Sequence, residues 1–222
     1  MKGVGPMTNV LNFNDQCKEE EIVNAVSHGF GAALAIAGTA VMLVYASFNS
    51  ASIGIVSASI YGFSLITLFI MSTLYHSFRN INIKKIFQKF DHCSIFVLIV
   101  GSYAPICLYL LGGTLGWTLF AINGSLAIVG IVANAIDIKK WHKLSLILYL
   151  LMGWSIIFAV KPLLSLITLD GFILLLIGGL CYTIGVIFYK AKKPHYMHSV
   201  WHLFVLGGSA FHYFFVLFYI IL

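Results

Sequence analysis

The chain has 222 residues, 60% of them hydrophobic and only 9% charged, with a mean hydropathy of +0.98. Soluble domains average about 45–50% apolar and about 25% charged residues, so this composition excludes a soluble globular domain and defines an integral membrane protein. The formal net charge of +6 would suggest a nucleic-acid partner in a soluble chain; in a membrane protein its meaning depends on where the cations sit.

Residues 1–22 are polar, with Lys18, Glu19, Glu20 and Glu21 where a signal peptide would carry its apolar core, so the first span is expected to act as an uncleaved anchor. Apolar windows of about 20 residues predict spans near 23–47, 52–77, 90–111, 115–136, 143–160, 164–189 and 197–221. The connectors are too short for a soluble domain. The expected fold is therefore all-α: a polar cytoplasmic segment over 1–22 and a seven-transmembrane helix bundle over 23–222. Cys17, Cys93, Cys107 and Cys181 form no CxxC pair, which argues against a disulfide framework or a thiolate metal knot. Pro105 and Pro162 are expected to kink or end helices, and the pairs Gly178–Gly179 and Gly207–Gly208 to let helices approach closely. Phe214, Phe215, Phe218 and Tyr219 are expected to face lipid.

The basic residues sort by connector. With the N-terminus in the cytoplasm, 12 of the 13 fall inside, among them Lys18, Arg79, Lys84, Lys85, Lys89, Lys139, Lys140 and Lys190, and Lys161 alone falls outside. The positive-inside rule then predicts a cytoplasmic N-terminus and an external C-terminus. Inward-facing cations also explain the net charge as attraction to anionic inner-leaflet lipid, with no role for nucleic acid.

This orientation brings costly polar groups to one depth. His76 ends the second span, Asp91 opens the third, and His198 and His202 open the seventh. Histidines four apart share a helix face and can grip one ion, although HxxxH in a membrane helix also fits interhelical hydrogen bonding. Ser72 lies one turn deeper than His76 on the same face. Three imidazoles leave a tetrahedral Zn2+ one open position, as in catalytic sites, where bound water ionises near pH 7. Asp91 could serve as general base or simply complement a helix dipole; Ser72 could donate a hydrogen bond to a carbonyl under attack. His212 shares the face of His198 but lies about 21 Å further along the helix, outside any common metal shell.

The segment EEIVNAVSHGFGAALAIAG, then Ser72-TLY-His76, KF-Asp91-HCSIFVLIVGSYAP and His198-SVW-His202 with the later His212, resembles the hemolysin III branch of the progestin and adipoQ receptor (PAQR) superfamily. The resemblance runs through all the predicted spans. It implies a prokaryotic multi-pass plasma-membrane protein with zinc ligands His76, His198 and His202, Asp91 contacting zinc-bound water, and Ser72 beside it. Asn24 and His28 match an EE-x2-N-x3-H signature; His28 fits a role behind the zinc ligands, hydrogen-bonding Asp91 or a ligand, and equally a packing role. The alkaline ceramidase relatives imply amide hydrolysis of a lipid; with the residues' own reading this gives metal-assisted hydrolysis of a lipid amide or ester, or another part in membrane lipid homeostasis, with a membrane lipid as substrate or ligand. A receptor or sensor with structural zinc, and a cytolytic protein as the branch name implies, are the competing expectations.

Overall fold

A computed structural model describes residues 16–191 and 194–222; Lys2, Lys192, Lys193 and most of the 1–22 segment lie outside them. The described chain is helical nearly throughout: α1 (Lys18–Asn49), α2 (Ser52–Ser77), α3 (Ile81–Ala104), α4 (Gly113–Trp154), α5 (Val160–Leu166), α6 (Leu169–Lys190) and α7 (Met197–Val216). Among these residues six helical stretches are long and apolar enough to cross a membrane, including Ile81–Leu111, Gly113–Leu166 and Met197–Ile221. In a bilayer, helices satisfy every backbone polar group internally, which explains why so apolar a chain folds this way.

Two expected boundaries move. The first helix begins at Lys18 rather than 23, because Glu20 closes back on the Cys17 amide at 3.0 Å and caps the first turn. The third begins at Ile81 rather than 90, with the Asn80 side chain accepting from the amides of Asn82 and Ile83. Hydropathy finds apolar stretches, and the first turns of α3 carry Lys84, Lys85, Gln88 and Lys89. Asp91 thus lies well inside a helix, where complementing the dipole of an N-terminus no longer accounts for it.

Two predicted spans, 115–136 and 143–160, fall within the single long element α4 and its continuation. A straight run over Gly113–Leu166 would reach about 80 Å at 1.5 Å per residue, far beyond a hydrocarbon core of about 30 Å. The run is not straight. Asp137 has extended backbone angles (φ −156°, ψ 103°), and its carboxylate accepts from the Lys140 amide at 3.1 Å, so one helix stops and another is capped there. Asn134 bonds Ser145 at 2.7 Å and Tyr149 at 3.3 Å, and Asn123 bonds Ser155 at 2.8 Å. Residues that far apart in sequence touch only if the chain doubles back at Asp137.

Pro105 starts a π-helical turn (Pro105–Leu111) at the end of α3, since it has no amide hydrogen to continue the α-helical ladder. Gly112 and Gly113, both at positive φ (57° and 52°), then turn the chain into α4, a backbone that side chains with a Cβ rarely adopt. Gly178 abuts the His212 ring and Gly208 abuts Tyr182, so these glycines serve α6–α7 packing. Phe214 and Phe218 are exposed as expected, but Phe215 is fully buried: it sits in the core with Tyr61, Phe69 and Val216. All four cysteines are free.

Candidate metal centre

The N-terminal turns of α1 and α7 run side by side, joined by a polar ladder. Glu20 accepts from the Tyr196 amide, Asn24 accepts from the Ser199 hydroxyl at 2.6 Å, and Ser27 meets His202 Nδ1 at 3.3 Å. The rungs advance by three or four residues on each helix, the repeat of one helical turn. This ladder sets α7 against α1 and faces His198 and His202 toward His76 at the end of α2.

His76, His198 and His202 come together, each offering a ring nitrogen within 4.8 Å of the others'. Their ring centroids are separated by 5.3 Å (His76–His198), 5.0 Å (His76–His202) and 4.8 Å (His198–His202). His76 and His202 are buried. The hydrogen bonds dictate which nitrogen is available. His76 Nδ1 lies 2.8 Å from Glu21 Oε2; a carboxylate only accepts, so Nδ1 carries a proton and Nε2 is the nitrogen left for a metal. Ser27 gives its own hydrogen to the Asn24 carbonyl at 3.0 Å, so it accepts from His202 Nδ1 and again leaves Nε2 as the free donor of electrons. Anchoring one ring nitrogen while the other faces the centre is the usual arrangement of a metal-ligating histidine.

A test of fit comes from polar atoms left without partners. Seven buried side-chain nitrogens and oxygens among the described residues make no hydrogen bond, and four belong here: His76 Nε2, Ser72 Oγ and both ring nitrogens of His28. Unsatisfied buried polar atoms are costly and rare, and their concentration in one place fits a site that receives a ligand. A set of three imidazole ligands fits a zinc ion.

The centre borders an apolar chamber. A cavity of about 190 Å³ is lined by His28, Ser72, Asp91, His198 and His202 at one end and by Phe172, Leu175 and His212 far from it. Ser72 and Asp91 therefore line the same cavity as two of the three candidate ligands. Asp91 is 3.4 Å from His92 Nδ1, a nitrogen that also donates to the Gln88 carbonyl at 2.9 Å. His28 stacks face to face on His202, 3.6 Å between centroids and 13° between planes. It meets the candidate ligands by ring face, and both its ring nitrogens are buried. His212 is remote, donating to the Leu175 carbonyl at 3.1 Å. His195 is exposed, 3.6 Å from Glu20.

The residue that sequence reasoning passed over is Glu21. It reads as part of a solvated acidic run, yet its carboxylate bridges His76 at 2.8 Å and Lys84 at 2.7 Å. The available signal was a polar stripe at helical spacing, Glu20 or Glu21, Asn24, Ser27 and His28, on an otherwise apolar helix.

Helices of this length and hydropathy, folded around buried polar residues, make a multi-pass membrane protein. Residues 16–213 match the family described as Haemolysin-III related, and the chain belongs to that family. It is 43% identical over 215 residues to Hemolysin-3 of Bacillus cereus, covering 97% of this chain and 98% of that one. It is 45% identical over 201 residues to a Hemolysin-3 homolog of Bacillus subtilis (strain 168), covering 90% and 94%. The human Monocyte to macrophage differentiation factor is 30% identical over 205 residues, covering 88% and 82%.

Proposed function

We propose that the protein is a zinc-dependent hydrolase of a membrane lipid amide or ester. The observation that carries this reading is the grouping of unpartnered polar atoms of His28, Ser72 and His76 beside Asp91 at one end of an otherwise apolar chamber. His76, His198 and His202 would hold the ion. Bound zinc supplies Lewis acidity, polarising a carbonyl and acidifying water. The chain's own residues do the rest. The apolar walls hold an acyl chain and exclude water from the reacting end. The Ser72 hydroxyl, bonded to nothing else, donates to the carbonyl oxygen as negative charge develops there. The Asp91 carboxylate takes the proton of the attacking water as general base and returns it to the leaving group. Glu21 and Ser27 keep the His76 and His202 rings turned inward.

The proposal includes the membrane arrangement: 23–222 as one domain, the fold-back at Asp137 as the connection between two spans, seven spans in all, the N-terminus in the cytoplasm and the C-terminus outside. In a cysteine-free background, Lys140→Cys should be labelled by an impermeant reagent only from the cytoplasmic side and Lys161→Cys only from outside. Labelling of both from one face would refute the topology.

For the chemistry, zinc is counted by elemental analysis in purified protein and lipid turnover is followed by mass spectrometry. Asp91→Ala should keep its zinc and lose turnover, whereas the His76→Ala/His202→Ala double variant should lose the metal. A double variant with full zinc would sink the ligand assignment.

One observation favours a second reading. The cluster joins α1, α2 and α7 through Ser27–His202, His28–His202 and Glu21–His76 contacts, so a metal there would also staple three helices, as in a receptor or sensor with structural zinc. In that case Asp91→Ala leaves function intact. The name of the Bacillus cereus relative carries a third, membrane lysis, which zinc-independent conductance in planar bilayers would favour.

A further inference from the structure

Beside His76, which lines it, lies a second and more polar cup. Its volume is about 660 Å³, and its walls come from the first turns of α1, the end of α2 and the start of α3. Four cations line it: Lys18, Arg79, Lys84 and Lys85. Glu21 is the acidic residue among its lining groups, and Lys84 and His76 already hold that carboxylate. Among the described residues its lining is therefore net positive, and Lys18, Arg79 and Lys85 all lie exposed at its walls. Below the cations, toward the middle of α1, the lining continues through Ile22 and Val26, which are 51% and 65% exposed. Cations at the end of a membrane helix with exposed aliphatic residues immediately deeper have the polarity profile of one phospholipid, headgroup above acyl chain.

We propose that this cup binds a phosphate group, and that its natural source is the headgroup of an anionic phospholipid. An arginine fork and flanking ammonium groups suit phosphate oxygens, and basic pockets between membrane helices are where anionic headgroups settle. Ile22 and Val26 have no use in a site for soluble phosphate, which favours the lipid over the free ion. The site requires neither a metal nor hydrolysis, so it stands or falls apart from the function proposed above.

The test uses the purified full chain in detergent, with phosphatidylglycerol, phosphatidylcholine or inorganic phosphate as probe and native mass spectrometry as readout. Wild-type protein should retain phosphatidylglycerol and release phosphatidylcholine. The triple variant Lys18→Gln/Arg79→Gln/Lys85→Gln should bind phosphatidylglycerol at least about tenfold more weakly. A control, Lys140→Gln/Lys143→Gln, removes two cations outside the cup and should bind as wild type. Lys84 is left alone because it holds Glu21. If the triple variant fails to fold, Arg79→Gln by itself must still weaken binding, and Arg79→Lys must weaken it less. Equal retention of both lipids, an unaffected Arg79→Gln, or an equal loss in the control would overturn the site. Displacement of the lipid by millimolar inorganic phosphate would overturn the lipid as its source.

Discussion

Glu21 does two jobs with one carboxylate, accepting from His76 Nδ1 at 2.8 Å and pairing with Lys84 at 2.7 Å. The first fixes the tautomer and direction of the ring; the second holds the carboxylate where the first can happen. Groups that anchor a metal-bound histidine in this way are typically worth about 10–100-fold in metal affinity. Glu21→Gln should therefore weaken zinc binding by about that factor in competition with a chelating dye while leaving the helices formed. An affinity equal to wild type would show that His76 needs no anchor. Glu21 was legible in the sequence only as a charge, because its partner is 55 positions away and nothing local pairs them. Ser72, His76, Asp91, His198 and His202 were easier to find, since polar residues at helical spacing stand out from apolar surroundings.

At the scale of elements, the junction of α3 and α4 shows what close approach demands. A Cβ at Gly116 would sit 2.0 Å from the Cys107 carbonyl oxygen, a backbone atom of the π-helical turn that cannot rotate aside. Gly124, two turns further along α4, would meet nothing within 4 Å. Gly116→Ala should lower stability by about 1–3 kcal/mol or more, read as a fall in thermal midpoint in detergent, and Gly124→Ala should be neutral or slightly stabilising. Equal midpoints for the two would mean that the turn is free to shift. The fold-back at Asp137 teaches a related lesson. Apolar windows break at 137–142, and the structure marks the same place by the extended backbone of Asp137 and by the hydrogen bonds of Asn134 with Ser145 and Tyr149 and of Asn123 with Ser155.

For the whole molecule, the histidine cluster lies where α1, α2 and α7 converge, so an ion bound there is linked to the folded state. A ligand that binds only the folded protein stabilises it by RT ln(1 + [L]/Kd), about 4 kcal/mol at 1,000 times Kd. Chelation should accordingly lower the thermal midpoint of wild-type protein and leave that of His76→Ala/His202→Ala unchanged. A midpoint indifferent to chelator in wild type would remove the metal from the folded state altogether.

Composition and periodicity by themselves determined the membrane class, the helical fold and the identity of the polar residues worth asking about, because hydropathy and helical spacing are local properties of the chain. The tertiary structure decided which polar residues meet. It buried Phe215 in the core and set Asp91 inside α3. It brought Glu21 to His76, stacked His28 on His202, and formed an apolar chamber lined by His198 and His202 and a separate cationic cup lined by His76. These outcomes depend on how α1 lies along α7 and against α2, and helix packing is set by side chains far apart in sequence meeting across an interface.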